Sequence, residues 1–272
     1  MKRILYALLA VGLLMVGAGC TGEESQHRLT KAERDSLRRI DSAALKIGVL
    51  PVEACLPIVV AEQLRLYDTL GITVHLRRYH ALSECRIAVE KALVEGAVLD
   101  TVLIGILNKN TPVAYAATAV PLEWKLLTAK KARVTRLDQL VDKMIAADSH
   151  GITYALATQV LDTLRRKKQQ AFVIQVEDLR VREQMLVTGN VDAAFLPEPF
   201  ASMAEKSGAK VLKLASPSKG ESKAVCHIAY RTEAMKDASR RHQQQMFEKA
   251  VGIAADSIRR YGKEKYMNMM QW

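Results

Sequence analysis

Four acidic residues follow short apolar runs, at the points where strands of an α/β protein would end: Glu53, Glu84, Asp148 and Glu198. Ligands of open α/β sheets bind at the carboxyl ends of the strands, so we expect these carboxylates to face one cleft together. A site for sulfonate or nitrate alone would need cations and hydrogen-bond donors. The acids therefore favour a ligand with amino or ring N–H groups, such as a pyrimidine. The alternative is that they are helix-start acids stabilised by the helix dipole.

The same predicted loops contain further candidates for ligand contact. They are Tyr79, Gly105, Ser149, Thr153 and Asp178. Helix amino termini in these loops would direct N–H donors at a ligand, although capping the helices is an equally good role for any single polar side chain. The sequence contains no nucleophile elbow, phosphate-binding loop or dinucleotide-binding glycine pattern. We therefore predict no catalytic residue and no cofactor.

Two cysteines also fall in these loops, Cys55 after the first predicted strand and Cys85 after the second. Those strands are neighbours in a parallel sheet, so a Cys55–Cys85 disulfide would join the two loops in an oxidising compartment. Free thiols lining the pocket are one alternative. Another is a thiophilic metal site that includes Cys226 or His227, but the spacing matches no compact ligand motif and we predict no metal.

The sequence predicts that the helices and strands that position these residues form two α/β lobes. Predicted strands at 45–50, 73–79 and 101–104 alternate with helices at 57–67 and 83–95, with Ser83 as a cap and Gly105 opening the turn after the third strand. This order is typical of a parallel, doubly wound sheet. A second set follows, with strands at 144–147, 172–176, 191–196 and 210–214. Strands at 124–128 and 224–230 would cross between the lobes as two hinges.

The stretch 185–199, MLVTGNVDAAFLPEP, is the most informative part of the sequence. Gly189 suits the left-handed end of a helix, and 191–196 is a short apolar strand. Pro197 ends that strand and Pro199 opens the next helix, so Glu198 lies at a strand end.

This stretch resembles a segment of the type II periplasmic solute-binding proteins, in the branch that serves nitrate, sulfonate, taurine and thiamine-pyrimidine ABC importers. Four further segments resemble the opening of that family: 47–51 (IGVLP), 60–63 (VAEQ), 66–68 (LYD) and 70–72 (LGI). The resemblance covers roughly residues 45–265. It implies the α/β two-lobed type II fold, with a doubly wound, mostly parallel sheet in each lobe and ligand contacts in the loops above, where Ser149 and Thr153 match small hydroxyl positions.

The amino terminus has the pattern of a lipoprotein signal. Lys2 and Arg3 precede an apolar run at 4–16, and small residues at 17–19 lead to Cys20. We expect cleavage before Cys20 and lipidation of its thiol, which would anchor the protein to a membrane of the bacterial cell envelope, facing the periplasm or exterior. The apolar run is shorter than the roughly 20 residues that a membrane-spanning helix needs.

The formal net charge is +11, or +9 (11 − 2) without Lys2 and Arg3. Such a balance suits anionic ligands, lipid headgroups or simply a solvated basic surface. Basic and aromatic residues are not interleaved, so we predict no nucleic-acid partner.

We expect five segments: a signal peptide (1–19), a tether (20–44), the first lobe (45–124), the second lobe (125–223), and a return to the first lobe with C-terminal helices (224–272). The resemblance implies a monomeric substrate-binding lipoprotein that captures a small metabolite between its lobes and delivers it to the transmembrane subunits of an ABC permease. Two alternatives stay open: an enzyme on the same fold, similar to thiamine-pyrimidine or menaquinone-pathway enzymes, and a ligand sensor.

Overall fold

The computed structural model describes residues 30–116, 120–213, 223–270 and 272. The lipidation candidate Cys20 and the signal segment lie outside this part. Residues 43–272 form one compact unit, and the described residues before them, 30–42, belong to another. Helix α1 (Lys31–Ala43) begins in the latter unit with a capping box, since the Glu33 carboxylate accepts the Thr30 N–H at 2.7 Å. None of the helices described is long and apolar enough to cross a membrane.

The first lobe has a five-stranded mixed sheet. Its strands are β1 (Leu45–Val49), β2 (Val74–Arg78), β3 (Gly96–Asp100), β4 (Val113–Tyr115) and β10 (Lys223–Arg231). The order is β2-β1-β3-β10, with β4 on β10; β1 is parallel to β2 and β3, and β10 is antiparallel to β3. All five residues of β3 are buried, as expected for a parallel strand covered on both faces. Its helices are α2 (Leu56–Gln63), α3 (Leu66–Thr69), α4 (Leu82–Glu90), α5 (Thr101–Leu107) and α9 (Ala238–Tyr261).

The second lobe has the other mixed sheet. Its strands are β5 (Val120–Thr128), β6 (Met144–Ala147), β7 (Phe172–Gln175), β8 (Ala193–Pro197) and β9 (Lys210–Val211). The order is β5-β8-β6-β7, with β9 on β5. Strands β8, β6 and β7 are parallel, whereas β5 is antiparallel to β8. The helices are α6 (Ile152–Arg165), α7 (Leu179–Thr188) and α8 (Phe200–Lys206).

Strand β5 connects the two sheets. Its first half, 120–123, pairs with β10, and its second half, 124–128, pairs with β8. Strand β10 in turn pairs with β3 of the first lobe. The predicted α/β two-lobed fold is therefore confirmed, with mixed sheets because the crossing strands run antiparallel to their neighbours.

The third predicted strand needs correction. It was expected at 101–104 with Gly105 opening a turn, but the strand is β3 (Gly96–Asp100) and Gly105 lies inside α5. The reason is a helix cap: the Asp100 carboxylate accepts the Leu103 N–H at 2.8 Å, so the helix begins at Thr101. Similarly, α4 begins at Leu82, and Ser83 is not its cap.

Candidate functional site

The loops at the carboxyl ends of the two sheets contact one another across a cleft. Three hydrogen bonds with main-chain donors join them: Glu53 N–H to Glu198 O at 3.0 Å, Leu179 N–H to His80 O at 3.1 Å, and Ile152 N–H to Asp100 Oδ2 at 3.3 Å. Each bond links the first lobe to the second. The structure is therefore a closed form, in which the predicted ligand loops meet directly.

Glu53 and Glu198 lie at one end of this contact, and each forms an ion pair. Glu198 Oε1 is 2.7 Å from Lys125 Nζ, and Glu53 Oε1 is 2.9 Å from Lys263 Nζ. Burial raises the pKa of Glu198, but hydrogen bonds from Lys125 and the Ser202 main chain outweigh it, so the net pKa is lowered. Both carboxylates are thus engaged within the protein.

Glu84 caps α4. Its Oε2 accepts the main-chain N–H groups of His80 at 2.8 Å and Ala81 at 3.1 Å. These donors are the N-cap residue Ala81 and the residue before it, so Glu84, the third residue of the helix, fixes the chain at the helix start. The helix-start role that the sequence left open is therefore the one that Glu84 has in this form.

The start of α6 is organised by Asp148 and Thr153. Asp148 Oδ1 accepts the N–H groups of Gly151 at 2.9 Å and Tyr154 at 3.0 Å. Thr153 Oγ1 accepts the Asp148 N–H at 2.8 Å. Both side chains are buried. The geometry is a reciprocal cap that fixes the loop after β6.

Asp178 caps α7 by accepting the N–H groups of Arg180 and Val181 at 2.8 and 3.0 Å. Its neighbour Glu177 accepts the Ser149 N–H at 2.7 Å. Burial raises the pKa of Glu177, but hydrogen bonds from the Ser149 side chain, the Ser83 side chain and the Ser149 main chain give a net lowering.

The cysteines are free thiols. Cys55, Cys85 and Cys226 are all buried, so the expected Cys55–Cys85 disulfide is not formed in this structure. Cys55 Sγ instead accepts the Leu50 N–H at 3.4 Å, which directs it back into the loop after β1. Burial raises the pKa of Cys55 to about 12. Tyr79, beside Cys85, is half-buried, and burial raises its pKa too.

In the part of the chain that the structure describes, no group of three or more His, Cys, Asp and Glu residues is arranged to hold a metal ion.

Asp100 is a cleft residue that the sequence analysis missed. It is fully buried at the end of β3, and burial raises its pKa from 3.8 to about 6 against the hydrogen bonds from Leu103 and Ile152 that lower it. The carboxyl group of Asp100 thus reaches the start of α6 in the other lobe. An acid directly after the apolar run 96–99 is the available signal, but the sequence pattern places the strand at 101–104.

Arg182 was also missed. The Arg182 side chain is 1% exposed and donates to Val176 O at 2.8 Å, Phe195 O at 3.1 Å and Thr153 Oγ1 at 3.4 Å. Burial lowers its pKa to about 10, so it is a cation at neutral pH. The available signal was helical spacing, because Arg182 shares the buried face of α7 with Leu179 and Leu186.

Trp124 lies where β5 enters the second sheet, opposite Pro197 of β8. Its indole Nε1 is buried and has no hydrogen-bond partner among the described residues. The guanidinium carbon of Arg182 lies 6.0 Å from the centre of its ring.

Comparisons with known proteins rest on structure, since neither a protein-family model nor a curated protein matches the sequence. A zinc-bound ligand-binding component of an ABC-type import system from Staphylococcus aureus aligns with a TM-score of 0.67 at 15% identity, covering 84% of this chain and 78% of that one. The alkanesulfonate-binding protein SsuA from Xanthomonas axonopodis pv. citri, bound to MOPS, aligns with a TM-score of 0.64 at 14% identity. The alignment covers 84% of this chain and 78% of that one.

The periplasmic nitrate-binding protein NrtA from Synechocystis PCC 6803 gives 0.67 at 11% identity, with 84% and 65% covered. At these identities the similarity concerns the fold. The fold that the sequence resemblance implied is therefore confirmed: this chain has the two-lobed architecture of the periplasmic substrate-binding proteins of ABC importers.

Proposed function

We propose that this protein is the solute-binding component of an ABC-type importer, which captures a small molecule between its lobes. The observation that carries the proposal is the cleft: loops from the carboxyl ends of both sheets meet there, and β5 passes from one sheet to the other. Proteins of the same fold are named as ligand-, sulfonate- and nitrate-binding components.

In this proposal the ligand enters an open form and the lobes close over it by a hinge motion at the crossing strands. Few bonds must break for opening, because the main-chain contacts between the lobes are single hydrogen bonds at separate loops. The closed form would then be presented to the transmembrane subunits of a permease.

An enzyme on this fold is the weaker alternative. The three buried thiols have raised pKa values, which keeps them protonated and poor as nucleophiles. Turnover of a candidate substrate by the purified protein would support the enzyme alternative. A ligand sensor would have the same cleft. It would differ from an importer component in its partner, which would be a membrane receptor and not a permease.

The experiment is native mass spectrometry of the protein purified without refolding. We expect a non-covalent small molecule that is lost on mild unfolding, together with co-purification of permease subunits from detergent-solubilised membranes. A protein that is empty and also fails to stabilise in thermal-shift screens of pyrimidines, sulfonates and amines would contradict the proposal.

We also propose that Cys20 carries the lipid anchor and that the protein acts as a monomer. The support for the anchor is the sequence pattern before Cys20. Metabolic labelling with a fatty acid should mark the wild-type protein and not Cys20→Ala; equal labelling of both would refute the anchor.

A further inference from the structure

Charge is distributed unevenly between the two ends of the second-lobe sheet. Four acidic residues lie at the cleft end, after the strands: Asp148, Glu177, Asp178 and Glu198. At the opposite end β6, β7 and β8 begin and β5 ends, and exposed lysine and arginine residues gather there. Neither the cleft nor the proposed function accounts for this basic cluster.

Six exposed basic residues form the cluster, three in the turn after β5 and three directly after α6. We call them the basic pole: Lys130, Lys131, Arg133, Arg166, Lys167 and Lys168. Within the described ranges, no carboxylate oxygen lies within 4.0 Å of their charged nitrogen atoms. The six positive charges are therefore not neutralised by contact with acidic side chains of the described chain.

The acidic residues at this end leave it with a net positive charge. Three are used in ion pairs with other basic residues: Arg136–Asp138, Lys143–Asp192 and Arg165–Asp162. Asp142, which is exposed in the turn before β6, adds one negative charge against the six of the basic pole. The field of this end is therefore positive.

Main-chain hydrogen bonds place the two parts of the basic pole on one surface. Ala129 N–H donates to Asp192 O at 2.9 Å, and Asp192 N–H donates to Met144 O at 3.0 Å, so the turn after β5 adjoins the starts of β8 and β6. Asp142 N–H donates to Gln170 O at 2.9 Å, which joins the start of β6 to the connection after α6. Because neighbouring strands are about 5 Å apart, the four strand ends span roughly 15 Å.

Two apolar side chains are exposed on the same surface. Met144 and Phe172 are the first residues of β6 and β7, they are paired in register, and they are 39% and 49% exposed. Phe172 N–H donates to Lys143 O at 2.9 Å, and three residues separate Phe172 from Lys168. Unpaired cations around an exposed aromatic ring suit a lipid surface, since cations bind anionic headgroups and the ring enters the boundary with the acyl chains.

We propose that the basic pole, together with Met144 and Phe172, docks the second lobe on an anionic lipid bilayer. Clusters of about four to eight Lys and Arg residues are sufficient to attract a protein to the negative potential of such a surface. The lipid anchor proposed at Cys20 would keep the basic pole close to a membrane. The cleft lies at the other end of the sheet, so it would point away from the lipid and stay open to solute. This inference goes beyond the solute-binding role and does not depend on it.

The test uses a form that begins at Thr21, so that binding cannot come from the acylated cysteine. Residues 43–272 form one compact unit, so this form keeps both lobes. We expect it to co-sediment with phosphatidylcholine vesicles that contain about one-third phosphatidylglycerol, and not with pure phosphatidylcholine vesicles. Sodium chloride at about 0.5 M should reduce the binding, because it screens exposed charges within a few ångströms.

The variant Arg166→Gln/Lys167→Gln/Lys168→Gln removes half of the basic pole. Each lost cation should weaken vesicle affinity about fivefold, so the triple variant should bind roughly 100-fold more weakly. The matched control removes the same charge from exposed positions of the first lobe: Lys91→Gln/Lys109→Gln/Arg260→Gln. It should bind nearly as the parent protein does, and circular dichroism verifies that both variants fold.

A dye on a single introduced cysteine identifies the surface that touches lipid. The native thiols are buried, so Phe172→Cys can be labelled selectively with an environment-sensitive dye. Its emission should shift to the blue when anionic vesicles are added. Leu93→Cys is the matched control, because Leu93 is an apolar residue of the first lobe that is 57% exposed, and its label should not shift.

Three results would overturn the inference: equal binding to neutral and anionic vesicles, equal losses of binding in the two triple variants, or a blue shift at Leu93→Cys in place of Phe172→Cys. A parent protein that binds no vesicles would also overturn it and would point to an acidic protein as the partner of the basic pole. The proposed solute-binding function is judged separately by native mass spectrometry.

Discussion

The carboxylate of Asp100, at the end of β3, accepts the Ile152 N–H at 3.3 Å, so a strand end of the first lobe caps a helix start of the second. The same side chain accepts the Leu103 N–H of its own lobe. One buried carboxylate thus serves two helices in two lobes. Its ionisation state is therefore tied to the closed arrangement.

Asp100 should make stability depend on pH. Burial raises its pKa from 3.8 to about 6, so the folded protein holds this proton more tightly than the unfolded chain. The contribution to stability is therefore fully present below pH 4 and falls as pH rises to about 6. The full difference corresponds to about 3 kcal/mol.

Denaturant unfolding of wild type and Asp100→Asn at several pH values between 4 and 7.5 checks this. The stability of wild type relative to the variant should decrease over that range. Asp237→Asn, which removes the exposed cap of α9, is the control for loss of a capping carboxylate. A relative stability that stays flat with pH would show that Asp100 is not the titrating group.

The three buried thiols should not react in the folded protein. Burial raises the pKa of Cys55 to about 12 and those of Cys85 and Cys226 well above the ordinary value. The thiols of a soluble form that begins at Thr21 should not react with a thiol reagent in the native protein. In denaturant without reductant, three thiols per chain should react. Only one reactive thiol under those conditions would show that a disulfide forms in solution.

Locking the lobes together should stop ligand exchange. The hydrogen bond of 3.1 Å between Leu179 N–H and His80 O brings the two residues to roughly the separation that a disulfide spans. Oxidised His80→Cys/Leu179→Cys should neither take up nor release ligand, and reductant should restore exchange. The single variants are the controls, and unchanged exchange in the cross-linked protein would contradict hinge opening at this cleft.

The ion pair between Glu198 and Lys125 should contribute measurably to stability. Glu198→Gln keeps an acceptor for Ser202 but loses the charge, and should cost about 1 kcal/mol near neutral pH. The net pKa of Glu198 is lowered, so this contribution should disappear as pH falls through that pKa. Glu205→Gln is the matched control, since Glu205 Oε1 is 3.6 Å from the same lysine and more exposed. Equal costs for the two variants would refute a special role of Glu198.

The sequence by itself determined the two-lobed fold and the loops that form the cleft. Apolar strand runs, the helix end at Gly189 and the stop at Pro197 are local signals, since each depends on main-chain preferences of nearby residues. The elements in the stretch 185–199 are those that its sequence predicts, since α7 ends at Thr188 and β8 ends at Pro197.

Only the tertiary structure decided which polar groups are satisfied. Glu84, Asp148 and Asp178 looked like ligand groups in the sequence, yet each has an internal partner. Arg182 looked like an ordinary member of a helix, yet it is buried and donates to Val176 O, Phe195 O and Thr153 Oγ1. Hydrogen-bond satisfaction depends on neighbours that are distant in the chain, such as Ile152 for Asp100, and no local pattern contains that information.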